Sequence, residues 1–260
     1  MMENIEIALA GNPNVGKSTV FNALTGLHQH TGNWSGKTVE TAKGSFSTAK
    51  HSYTITDLPG TYSLSTQSAE EEAAFLHLCR ERPQAVIAVC DATCIERSLL
   101  LVLQLKKLCN RLIVCVNLLD EAERKGISID LKLLSSRLGL PVVGVTARNK
   151  KSLTALLEAL DSAVDSEIDI SGTTARYSAE IEGAVNSLSN TIKGEGLFKG
   201  YEHFAAQLIL EEDEAFCKSA PQNKRLWEQA EEQKAKLLAN GQNAQAIRDI
   251  TARQLVTESE

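Results

Sequence analysis

The sequence predicts an α/β domain with a mostly parallel sheet, followed by a small all-helical domain, and three observations carry that expectation. AVIAVCD (85–91), RLIVCVN (111–117) and PVVGVT (141–146) are continuous apolar runs, the pattern of strands buried on both faces. Helical patterns at 95–108, 130–139 and 152–164 alternate with them, the order that builds a parallel sheet. Beyond a polar, aperiodic stretch at 165–175 no β-rich run occurs.

In chain order, IEIALA (5–10) reads as a strand that runs into a glycine-bounded loop and then into the helical pattern STVFNALTG (18–26). TVETAKGSF (38–46) and HSYTITD (51–57) are β-rich and separated by a short turn, which predicts an antiparallel hairpin. SAEE (68–71) fits a capping box opening a helix, with Glu70, Glu71 and Glu72 placed where a first turn favours acids. The competing role for one of these acids is that of a base toward water. The second domain shows four helical patterns, at 176–192, 201–216, 223–239 and 243–256, punctuated by Gly194, Gly196, Gly200, Pro221 and Gly241. The expected division is 1–168 for the α/β domain and 169–260 for the helical one.

Bulk properties narrow the function. At 43% hydrophobic and 23% charged the composition is that of a soluble globular chain. Its formal net charge of −6 argues against a nucleic-acid-binding surface, which is usually basic. Six cysteines without a C-x-x-C pattern or a secretory signal read as reduced thiols in a cytosolic compartment. The apolar runs at 98–105 and 112–119 are far shorter than the ~20 residues a membrane helix needs.

The chemistry lies in five motifs. GNPNVGKS (11–18) matches G-x-x-x-x-G-K-[ST] and falls between a strand and a helix, as that motif requires. Its glycines let the backbone wrap phosphates and aim its amides at them from a helix N-terminus. Gly11, Asn12, Pro13, Asn14, Val15 and Gly16 are therefore expected around a nucleotide. Lys17 would reach the β- and γ-phosphates and Ser18 would bind Mg²⁺, with Thr19 following in the helix. DLPG (57–60) has D-x-x-G spacing, so Asp57 would hold Mg²⁺ through a water and the Gly60 amide would meet the γ-phosphate. The glutamine that often follows and orients the attacking water is replaced by Thr61.

NLLD (117–120) reads guanine: the Asp120 carboxylate accepts from the ring N1 and exocyclic amine, a donor pattern adenine lacks, and Asn117 recognises the other edge. Thr146 and Ala147, after the last strand, match a short turn whose amide supports the guanine oxygen. The polar, glycine-rich stretch 28–40 has the character of a mobile first switch, and Thr38 is its natural second Mg²⁺ ligand. His28 and His30 read as solvated loop residues, because two ligands without a neighbouring Cys, Asp or Glu do not complete a metal site. Together these motifs specify a Ras-like P-loop GTPase domain.

GNPNVGKSTVFNALTG, GNWSGKTVE, DLPGTYSL, VCDAT and NLLD together resemble the cytosolic N-terminal region of the bacterial ferrous-iron transporter family FeoB. The resemblance covers about residues 4–165, and the helical remainder is similar in position and kind to that family's domain akin to a guanine-nucleotide dissociation inhibitor. It implies a slowly hydrolysing GTPase with Mg²⁺, attached in the whole protein to a multi-pass Fe²⁺ permease. The chain would then be a cytoplasmic portion at the inner face of the bacterial cell membrane. The resemblance also implies K⁺ as an activator that replaces the charge of an arginine finger, held by the Asn14 side chain and by carbonyls of Gly32 and Trp34. Positioning and charge neutralisation dominate phosphoryl transfer, so such an ion is chemically reasonable. Val15 and Thr146 depart from the family's commoner residues. Partners so implied are GTP and GDP and the permease portion, with self-association left open and no nucleic acid. A non-hydrolysing GTP/GDP switch and a ribosome- or RNA-associated GTPase are the rival readings. Water positioning stays unassigned between a first-switch backbone group and Thr61.

Overall fold

The computed structural model describes residues 4–26, 29–33, 40–64, 68–146, 150–166 and 178–259. The chain groups into two units, Met1–Ser171 and Gly172–Glu260. In the first, the strands are β1 (Asn4–Gly11), β2 (Gln29–Asn33), β3 (Glu40–Ser47), β4 (Ser52–Asp57), β5 (Ala85–Asp91), β6 (Leu112–Asn117) and β7 (Val142–Gly144). The helices are α1 (Lys17–Thr25), α2 (Ala69–Glu81), α3 (Ile95–Leu108), α4 (Leu119–Arg124), α5 (Leu131–Leu138) and α6 (Lys150–Asp165). They build one sheet of order β2-β3-β4-β1-β5-β6-β7. β1 pairs parallel with β4 and β5, β5 with β6, and β6 with β7, while β2-β3 and β3-β4 are antiparallel. The mostly parallel sheet is thus the one expected.

Burial explains why the apolar runs are continuous. Val86 to Cys90 and Leu112 to Val116 are all buried, because helices cover both faces. On one face Ile7, Leu9, Ile55, Ile87 and Ile113 meet Val20, Phe21 and Leu24 of α1 and Leu156 and Leu160 of α6. Tyr53 of β4 lies in the same layer, fully buried, and its hydroxyl donates to Asp161 Oδ1 of α6 at 2.7 Å. Thr48, in the β3-β4 turn, donates to the same oxygen at 3.0 Å. Beside that pin, Lys50 and His51 reach Asp165 at 2.8 and 2.7 Å.

Two local expectations are corrected. Residues 29–33, read as part of a mobile loop, form an edge strand, with Gly32 opposite Thr41 and Asn33 opposite Glu40. The free edge of β3 offers unpaired backbone groups that this segment satisfies. The last strand is shorter than the run 141–146: β7 stops at Gly144, although the Val145 amide still bonds the Val116 carbonyl at 2.7 Å.

The second unit contains α7 (Ala179–Gly194), α8 (Glu202–Leu210), α9 (Glu214–Ser219), α10 (Lys224–Ala239) and α11 (Ala244–Ser259). The single helix expected over 201–216 is two. Glu212 takes a left-handed φ of 53° and Asp213 caps the new helix by accepting from the Phe216 amide at 2.9 Å. Phe204 through Leu210 are all buried, which makes α8 the central helix of this unit. Its Gln207 and Glu211 share hydrogen bonds with Thr251 of α11.

Candidate nucleotide site

Parallel strands carry their C-terminal ends to one edge of the sheet, and the loops that follow them form the site. β1 delivers residues 11–16, β4 delivers Asp57, β6 delivers Asn117, and β7 leads to Thr146. At the end of the phosphate loop Gly16 adopts φ 81° and precedes α1 without a side-chain cap, so the first-turn amides of α1 keep their donors. A side chain at Gly16 would be strained and would strike Asn117 Nδ2. Asn117, only 1% exposed, donates through Nδ2 to the Val15 carbonyl at 3.0 Å. One buried side chain therefore ties the guanine motif to the phosphate loop.

Lys17 and Asp57 form a close ion pair at the mouth of this loop. Burial pushes the Asp57 carboxyl above its usual range, and the Lys17 ammonium opposes that shift. Ser18 and Thr19 are exposed on the first turn of α1. The Ser18 hydroxyl and Asp57 carboxylate are hard oxygen donors of the kind Mg²⁺ takes, and Asp57 is already poised against a cation. Asn14 is exposed, with a left-handed φ of 66°. Gly32 lies on β2, whereas Trp34, Thr38 and Ala147 fall outside the described residues.

The side chains of Asn12 and Val15 turn inward. Val15 is 3% exposed and belongs to the core, so only its backbone faces the loop. Asn12 is equally buried and donates to the Arg97 carbonyl of α3 at 2.9 Å. Gly60 approaches Pro13 so closely that an added Cβ would lie 3.2 Å from Pro13 Cα. Thr61, 4% exposed, spends its amide on the Gly11 carbonyl at 3.2 Å. The second-switch loop thus packs directly on the phosphate loop.

At the guanine end, Leu118 takes φ 63° as it enters α4, and the turn leaves the Asp120 carboxylate half exposed, 3.6 Å from Arg124. The Ser152 hydroxyl accepts from the Thr146 amide at 3.1 Å and donates to the Thr146 carbonyl at 2.9 Å. Ser152 was not foreseen: a serine in the first turn of a helix gives no sign of which turn it will clamp. The acids at 70–72 behave as a helix start. Ser68 Oγ accepts from the Glu71 amide at 3.1 Å, and the Glu71 carboxylate accepts from Ser63 at 2.8 Å. Among the described residues no group of three or more His, Cys, Asp or Glu could hold a metal ion.

Comparison with known proteins agrees with this geometry. The sequence model of the family described as Ferrous iron transport protein B matches residues 5–160. The Fe(2+) transporter FeoB of Shigella flexneri is 44% identical over 164 residues, which is 62% of this chain and 21% of that protein. The same figures hold for its counterpart in Escherichia coli strain K12, so the matched chain spans about a fifth of these curated relatives. Among solved structures, the cytosolic domain of the T. maritima FeoB iron transporter in a GDP form aligns with a TM-score of 0.81 and 28% identity, covering 100% of this chain and 96% of that one. A point mutant of S. thermophilus NFeoB bound to mGDP gives 0.81 and 27%, covering 99% and 97%. The cytosolic domain of L. pneumophila FeoB gives 0.72 and 31%, covering 95% and 97%.

Proposed function

This chain belongs to the family of ferrous iron transport protein B, with its Ras-like P-loop fold, and on that premise we propose that it binds GTP and GDP with Mg²⁺ and hydrolyses GTP slowly. The observation that carries the reading is the buried Asn117 amide on the Val15 carbonyl, which makes base recognition and phosphate recognition one rigid unit. Relatives solved with GDP or mGDP support it.

In this reading the amides of residues 13–17 wrap the phosphates. Lys17, paired here with Asp57, would turn to the β- and γ-phosphates, leaving the carboxylate free to hold Mg²⁺. Ser18, Thr38 and, through water, Asp57 would hold Mg²⁺, which would supply charge neutralisation at the phosphates. Asp120 and Asn117 read the guanine edges, and the Thr146–Ala147 turn, braced by Ser152, supports the ring oxygen. Thr61 stands where a water-orienting glutamine often follows the D-x-x-G spacing, and its amide is engaged by the Gly11 carbonyl, which supports a slow intrinsic rate. Asn14, exposed and left-handed, would hold K⁺ together with carbonyls of Gly32 and Trp34, and the ion would supply the charge of an arginine finger. The helical unit would act on nucleotide release, and in the whole protein this cytoplasmic-face portion would serve a membrane permease for Fe²⁺.

The decisive experiment is Asp120→Asn: preference moves from guanine to xanthine nucleotides, measured by competition binding, and an unchanged GTP affinity overturns the assignment. Asn14→Ala abolishes K⁺ stimulation of phosphate release while GDP binding persists. Equal turnover of wild type and variant in KCl and NaCl removes the K⁺ site. A chain that releases no phosphate above background in K⁺ buffer, yet binds GTP, is a switch without hydrolysis.

A further inference from the structure

The second switch is held by the phosphate loop, by α2 and by α3. The Thr61 amide goes to the Gly11 carbonyl, the Ser63 hydroxyl to Glu71 of α2, and the Leu64 amide to the side-chain oxygen of Gln104 on α3 at 2.8 Å. Between these, the Arg97 guanidinium of α3 lies 5.5 Å over the ring of Tyr62. Arg97 also serves the phosphate loop, because its carbonyl accepts from Asn12. Gln104 lies two helical turns beyond Arg97 on the same face of α3. One helix therefore grips the phosphate loop at one point and the second switch at two.

Leu64 is 3% exposed, so without Gln104 its amide would lack an acceptor in an apolar setting, and the loop would have to rearrange to satisfy it. Gly60 lies four residues upstream and presses on Pro13. The loop conformation seen here therefore keeps Gly60 at the phosphate end of the site.

We propose that Gln104 is a positioning residue for γ-phosphate recognition: by fixing the end of the 61–64 loop it holds the Gly60 amide where a third phosphate must meet it. The inference rests on the guanine-nucleotide reading above and deepens it. GDP has no γ-phosphate for Gly60 to meet, so the influence of Gln104 falls on the triphosphate alone.

The test uses the full 260-residue chain and two substitutions. Gln104→Leu removes the acceptor at nearly constant volume, and Gln104→Glu keeps an oxygen in place for the Leu64 amide. Affinities for GTPγS and GDP are measured by equilibrium titration, with thermal melts alongside. Gln104→Leu weakens GTPγS about fivefold and leaves GDP within about twofold, as loss of one hydrogen bond's worth of positioning predicts. Gln104→Glu returns GTPγS to within about twofold of wild type. Unchanged GTPγS affinity in Gln104→Leu overturns the proposal, and so does equal weakening of both nucleotides, which marks general damage to the fold. Failure of Gln104→Glu to restore binding overturns it as well. A wild-type chain that binds neither nucleotide overturns the guanine reading itself, an outcome distinct from wild-type binding that Gln104→Leu leaves untouched.

Discussion

Asn117 shows how a single residue can be legible in type and illegible in role. Its spacing to Asp120 announces guanine recognition, yet its bond to the Val15 carbonyl spans 102 positions and leaves no trace in local pattern. Asn117→Ala leaves a buried carbonyl unpaired, so it lowers unfolding free energy by about 1–3 kcal/mol and GDP affinity by more than about tenfold, read by denaturant melts and titration. Asn12 was similarly legible as a loop member, whereas its inward turn toward Arg97 was not. His77 on α2 gave no signal at all. It is buried, and burial lowers its imidazole from 6.5 to about 4. The folded state holds the neutral ring while the unfolded chain takes a proton below 6.5, so the contribution is intact above that pH and is lost as pH falls toward 4. By pH 5 the loss is about 2 kcal/mol. His77→Gln flattens that part of the acid limb, and parallel melts of the two proteins between pH 7 and 5 measure it.

Elements were legible wherever burial imposed a period. The runs at 85–91 and 111–117 became β5 and β6 because both faces are covered, and the capping signal at Ser68 started α2 at the next residue. Where an element depends on a neighbour's edge, as β2 does on β3, the sequence carries only polar, glycine-rich chain. The break between α8 and α9 rests on the left-handed Glu212 and the Asp213 cap, a local event inside an otherwise continuous helical pattern. Ser68→Ala removes the acceptor for the Glu71 amide and costs about 1 kcal/mol, read as a lower midpoint in urea. Tyr53→Phe costs about 1–3 kcal/mol by leaving Asp161 short of a buried donor.

For the molecule as a whole, composition excluded more than it named. The net charge of −6 disfavoured nucleic acid, and among the described residues no helix is long and apolar enough to cross a membrane. All six cysteines are free, and burial raises the Cys90 thiol to about 12. A ligand that binds only the folded chain stabilises it by mass action, so GDP at a hundred times its dissociation constant adds about 2.7 kcal/mol. The melting temperature therefore climbs with GDP and stays flat with ADP in a thermal-shift series. Equal shifts with both nucleotides place the selectivity of NLLD in doubt.

The pin at the far end of the sheet has a mechanical meaning. Tyr53 and Thr48 grip Asp161, and Lys50 and His51 grip Asp165, so the last turn of α6 is fastened to the β3-β4 turn just before the chain leaves the first unit. Tension arriving along the chain from the C-terminal side meets this fastening before it meets any strand that carries a nucleotide ligand. Pulled from its ends, the chain shows an early, low-force event that Asp161→Ala moves to lower force, while the β1-β5-β6 core yields later.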